Sequence, residues 1–152
     1  MTESKSMYET VTKFYGNAVQ HERGQALLAS ARRDLGECVL NLQIKDAEIF
    51  QFIHKKGEYT VKKGRGEPGP GARLVEAEVT AGDFSDILEG KLAVIDALNT
   101  SKLFMRTIGA IWDFKTRPFV SLWGSLTRVG QDIVAAQKIK TYKLFQVPNL
   151  SE

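Results

Sequence analysis

Apolar residues recur along this chain first at helical and then at strand spacing. Met7, Val11, Phe14, Tyr15 and Ala18 lie three and four apart, which predicts a helix starting at Ser6, where Ser6 and Glu9 match a capping box. A second helix is predicted over 22–35, with Leu27, Leu28, Ala31 and Leu35 in one stripe and Gly36 where a C-terminal cap belongs. The period then drops to two. Cys38, Leu40, Leu42 and Ile44 share one strand face, and Asn41, Gln43 and Lys45 the other. Asp46-Ala47 predicts a turn. Residues 49–54 are apolar at nearly every position, which predicts a strand covered on both faces. Lys56-Gly57 predicts a hairpin turn into a third strand beginning with Tyr59, Thr60 and Val61.

Residues 64–71, GRGEPGPG, read as a long hairpin connection to a fourth strand, 74–79, with Glu76 and Glu78 on a solvated face. Thr80 is placed to cap a helix whose Phe84, Ile87 and Leu88 face inward, and Gly90 ends it. Leu92, Val94, Ile95 and Leu98 predict another short helix. A fifth strand over 102–107 alternates Leu103 and Met105 with Phe104 and Arg106. Thr116 and Pro118 suit the start of a final helix, with Phe119, Leu122, Trp123, Leu126, Val129 and Ile133 on its apolar face. Beyond Lys140 the pattern leaves a strand or a surface segment open. The sum is an α+β domain: a single, mainly antiparallel five-stranded sheet covered by helices.

Composition narrows the picture. At 152 residues, 43% hydrophobic and 26% charged, the chain can bury a full core as one domain, 1–152, and is not a disordered polymer. The charge is uneven: residues 1–100 carry 13 basic and 15 acidic side chains (−2), and residues 101–152 carry 8 and 3 (+5). The basic excess lies among Trp112, Phe114, Phe119 and Trp123, a mixture that suits an anionic membrane surface as well as a solvated helix face. No run approaches the roughly 18 apolar residues of a membrane span. The N-terminus has no signal-peptide core and NLSE is not a peroxisomal signal, so a cytoplasmic location is expected.

Catalytic signatures are sparse. Two histidines, His21 and His54, and one cysteine, Cys38, show no paired ligand spacing, so no metal and no cofactor is expected. Cys38 reads as a core thiol and His54 as a surface or edge histidine. The two could meet across adjacent strands, but without an orienting acid. The glycine-rich loop lacks the Lys-Ser/Thr of a phosphate loop, and no nucleic-acid motif is present.

The run AEVTAGDFSDILEGK, a helix-forming connection and SKLFMRTIG resemble the sterol carrier protein type 2 family, with Asp83, Phe84, Leu88, Gly90, Lys91, Ala97, Lys102, Leu103 and Gly109 where its pattern expects them. The resemblance covers about residues 20–112. It implies an apolar tunnel and a non-catalytic carrier of a fatty acyl chain, sterol-like molecule, phospholipid or isoprenoid. The family's C-terminal helix helps cover the tunnel. Residues 113–152 extend the pattern and are expected to enlarge that cover, pair the chain as a homodimer or dock to a membrane. On this reading Phe84, Leu88, Leu103, Met105, Ile108, Trp112, Phe119 and Trp123 line the ligand site, and Lys115, Arg117 and Arg128 meet lipid headgroups. A second reading is an accessory protein that presents a lipid-like substrate to biosynthetic enzymes, for example in quinone synthesis. A third is a small α+β enzyme with a cone-shaped fold, for which only His54 stands out among inward positions.

Overall fold

The computed structural model describes residues 7–67, 69, 72–107 and 116–150, except the side chains of 34, 106–107, 116–117 and 140–150. Two helices, α1 (Met7–Gln20) and α2 (Glu22–Asp34), precede three strands, β1 (Cys38–Ile44), β2 (Ile49–Lys55) and β3 (Glu58–Lys63). Then come β4 (Arg73–Val79), α3 (Ala81–Leu88), α4 (Val94–Asn99), β5 (Leu103–Thr107) and the long α5 (Thr116–Leu150). The proposed cap at Ser6 lies outside the described residues. Thr80 does cap α3, accepting from the Asp83 amide at 3.1 Å. His21 caps α2 through Nδ1, which accepts from the Arg23 amide at 3.0 Å. Gly36 is not a left-handed cap: α2 ends at an extended Leu35. Gly90 ends α3 at φ 82°, a conformation that a Cβ would strain.

The sheet order is β3-β2-β1-β4-β5. The first three strands form a meander whose turns place Asp46, Lys56 and Gly57 at positive φ. β4 then departs from the expected hairpin and lies parallel to β1, so the sheet is mixed, with one parallel pair among antiparallel ones. The glycine-rich loop is therefore a crossover rather than a hairpin. To reach the far side of β1 it must cross the outer faces of β2 and β1. Each strand greets it with an amide side chain: Gln51 of β2 donates to the Gly64 carbonyl at 3.3 Å, and Asn41 of β1 brackets Gly66. The Asn41 Nδ2 donates to the Gly66 carbonyl at 3.0 Å, and its Oδ1 accepts from the Gly66 amide at 2.8 Å. A Cβ on Gly66 would run into the Gln51 amide oxygen and press on Val39, so a side chain there requires Gln51 to shift.

This crossover corrects two sequence expectations. β1 rather than β2 is the strand covered on both faces: all but Gln43 of its residues are buried, whereas β2 buries only Phe50, Phe52 and His54. Glu76 is not solvated. It pairs with Arg65 of the crossover, and the Asn41 Nδ2 lies 3.4 Å from it.

The inner face of the sheet holds the core. Cross-strand registers divide it into rows: Tyr59-His54-Cys38-Arg73, then Val61-Phe52-Leu40-Val75, then Phe50-Leu42-Ala77-Met105, then Ile44-Val79-Leu103. Phe104 belongs to the outer face beside Glu78 and is 61% exposed, opposite Leu103 and Met105 as the alternation of the strand predicts. In α4, Ala97 rather than Ile95 supplies the buried contact. α1 and α5 pack across the inner face, and α5 continues as one helix through Leu150, which settles the segment beyond Lys140.

Candidate functional site

The layer between the sheet and α5 is the candidate site. Its aromatic centre is Phe52 of β2. Trp123 of α5 meets it edge-on at 5.9 Å, Tyr15 of α1 at 4.9 Å, and Tyr59 of β3 at 6.3 Å. Trp123 also stacks over Tyr15 at 6.4 Å, and Phe119 lies 6.5 Å from Tyr59. These rings meet because each sits on an inward helix or strand parity: Phe119 and Trp123 are one helical turn apart, and Tyr59 and Phe52 lie on adjacent strands. The Tyr15 hydroxyl and the Thr127 Oγ1 share a hydrogen bond of 2.8 Å, and Thr127 donates onward to the Trp123 carbonyl at 2.7 Å. Burial raises the Tyr15 phenol above its usual range, offset in part by Thr127. Tyr15→Phe is expected to cost about 1 kcal/mol of stability, read as a lower urea midpoint at unchanged slope.

The layer is not uniformly apolar. The row Tyr59-His54-Cys38-Arg73 puts polar side chains at one end of the inner face. His54 is fully buried, which corrects its reading as a surface or edge residue, and its Nδ1 lies 3.0 Å from the Gly36 carbonyl. Its Nε2, the Tyr59 hydroxyl and the Trp123 Nε1 are buried without a hydrogen-bond partner among the described residues. Burial holds the Tyr59 phenol well above its usual range, and Tyr15 and Cys38 push it the same way. Cys38 stands directly opposite His54, so the two do meet across the strands, inside the core rather than on an open face. This row contains no carboxylate.

The residues chosen from sequence fall into three places. Phe84, Leu103, Phe119 and Trp123 are buried in the layer, and Met105 is partly buried against it. Leu88 lines a groove of about 480 Å³ between α1 and α5, with Phe14, Lys13 and Val134. Arg128 lines a second groove of about 460 Å³ between α4 and α5, with Val94, Ile95, Leu98 and Val120. Arg128 is exposed and pairs with Asp132 at 3.6 Å, and Asp132 also meets Arg23 at 2.7 Å. Ile108, Trp112 and Lys115, and the side chain of Arg117, lie outside the described residues.

Sequence reasoning left Tyr59 out of the site and weighed His54 only for an enzyme of another fold. The signal was present: His54 shares the parity of Phe50 and Phe52, and Tyr59 that of Val61. Among the described residues, no three His, Cys, Asp or Glu side chains group as metal ligands, and no helix is long and apolar enough to cross a membrane.

No family model and no curated protein matches this chain. Solved structures do. A crystal structure of sterol carrier protein 2 aligns at a TM-score of 0.52 and 16% identity, over 79% of this chain and 92% of its own. The UbiJ-SCP2 ubiquinone synthesis protein aligns at 0.51 and 11% identity, over 82% and 91%. Two sec-alkyl sulfatase structures, one of them from Pseudomonas sp., align at 0.45 and 0.40 with 17% and 18% identity over 64% and 58% of this chain, which spans only 14% and 12% of theirs. The fold is thus sterol-carrier-like.

Proposed function

We propose that this sterol-carrier-like domain is a non-catalytic protein that binds and transfers a hydrophobic ligand, taken up between the inner face of the sheet and the N-terminal half of α5. The observation that carries the reading is the layer itself. Three of its four rows are built from aliphatic and aromatic side chains, and the fourth adds His54 Nε2 and the Tyr59 hydroxyl, buried polar atoms that no group among the described residues satisfies. A core meant only for packing gains nothing from such atoms, because each costs about 1–3 kcal/mol when left unmatched. An acyl or isoprenoid chain gains about 0.8 kcal/mol per buried methylene, so a long chain repays displacement of part of the packing. Phe119 and Trp123, at the start of α5, are the covering side chains, with Phe84, Leu103 and Met105 along the walls. Arg128 and the basic residues around the start of α5 would face an anionic membrane during loading.

The test is native mass spectrometry of the purified protein with extraction of bound lipid, together with uptake of a fluorescent acyl probe. A bound lipid or saturable uptake is expected. Neither lipid nor uptake would overturn the reading.

The accessory role in presenting a lipid-like substrate has its own support. α5 continues as a helix to Leu150, and residues 135–139 are exposed on its surface, open to a partner. The fold likeness to a ubiquinone synthesis protein points the same way. Removing residues 140–152 is expected to leave probe uptake intact and to abolish capture of a biosynthetic partner. Capture that survives the truncation would favour free transfer.

A further inference from the structure

The unmatched polar atoms say which end of a ligand sits where, and this inference rests on the ligand-binding reading above. The inner face changes character along the strands: Ile44, Val79 and Leu103 close one end, whereas Tyr59, His54, Cys38 and Arg73 close the other. A chain-like ligand laid along this face meets hydrocarbon at one end and hydrogen-bonding groups at the other.

The available donors and acceptors are specific. The Gly36 carbonyl can only accept, so the hydrogen bond at 3.0 Å places a proton on His54 Nδ1. In the neutral ring this leaves Nε2 as an acceptor with no partner among the described residues. Trp123 Nε1 offers a donor only, and the Tyr59 hydroxyl can donate or accept. Tyr59 is the cross-strand partner of His54, and Tyr59 and Trp123 both pack on the ring of Phe52. An uncharged hydroxyl answers this set: its hydrogen goes to His54 Nε2, and its oxygen accepts from Tyr59 or Trp123. A ketone or ether leaves Nε2 unmatched. A carboxylate offers Nε2 no proton and must be desolvated.

We infer that His54, Tyr59 and Trp123 form the polar end of the ligand site and select a lipid whose head is a neutral hydroxyl, an alcohol or phenol. Arg73 stands two strands from His54 and is the group that would draw a carboxylate instead.

The experiment uses the full chain and a fluorescent alkane probe, displaced by hexadecanol, its methyl ether or palmitate. Hexadecanol is expected to compete at about tenfold lower concentration than the ether, the size of one well-matched hydrogen bond. Two variants test the residues. Tyr59→Phe removes one oxygen. His54→Asn removes Nε2 and keeps a donor towards Gly36. Either is expected to shrink the tenfold gap between alcohol and ether to about twofold. Each variant is read only where its melting curve matches the parent, so one folded variant suffices. Equal competition by alcohol and ether overturns the hydroxyl site and leaves lipid binding standing. Palmitate stronger than hexadecanol overturns the ligand class. Failure of the alkane probe itself to bind removes the binding reading, and this inference with it.

Discussion

Trp123→Ala is expected to destabilise the protein by about 3–5 kcal/mol, the usual range for an aromatic removed from a core. Trp123 is fully buried and joins three elements: it meets Phe52 of β2 at 5.9 Å and Tyr15 of α1 at 6.4 Å, from the middle of the covering stretch of α5. Its removal leaves a void beneath α5 that the flanking Phe119 and Leu126, both fully buried, cannot fill without moving the helix. For a domain of this size the loss corresponds to a fall in melting temperature of about 10 °C. Urea unfolding and near-ultraviolet circular dichroism check it. A cost below about 1 kcal/mol would mean that α5 already moves away from the sheet in the free protein, as a loosely held lid rather than a seal.

The second large effect lies on the opposite face. Asn41→Leu is expected to cost about 2–4 kcal/mol and to free the crossover loop. Asn41 is 1% exposed and is the point at which the loop is bound to the sheet. Leucine matches its size but leaves the Gly66 amide and carbonyl without their partner. It also takes a donor from the vicinity of Glu76, whose carboxylate is then held by Arg65 alone among the contacts described. Urea unfolding measures the stability. Limited trypsin digestion, with faster cleavage after Arg65 in the variant, measures release of the loop. Unchanged cleavage would mean that the loop is held by Gln51 and the chain ends rather than by Asn41.

Legibility in the sequence followed the range of the interactions. Local signals were reliable: the Thr80 cap, the Lys56-Gly57 and Asp46 turns, the Gly90 stop and the Thr116 start all stand where residue chemistry placed them. Inferences that needed a partner element failed more often. Gly36 was read as a cap, yet its backbone carbonyl serves His54 from another strand. The apolar run of β2 was read as covered on both faces, yet the crossover runs over β1, where Asn41 and Gln43 gave a polar pattern. His54 failed too: parity put it inside, and its polarity argued for the surface.

By itself, then, the sequence determined the elements, their order and the apolar stripe of the last helix, because helix and strand periods, caps and turn residues act within a few positions of one another. The tertiary structure alone decided that β4 crosses to lie parallel to β1, since parallel pairing leaves no local signature and rests here on Asn41, Gln51 and Gly66, far apart in the chain. It alone gathered Tyr59, His54, Cys38 and Arg73 into one row, because cross-strand register joins residues by alignment rather than by sequence distance. The apolar stripe announces that something is covered. Which buried atoms remain unmatched beneath it depends on every element that packs there, and only the assembled layer shows them.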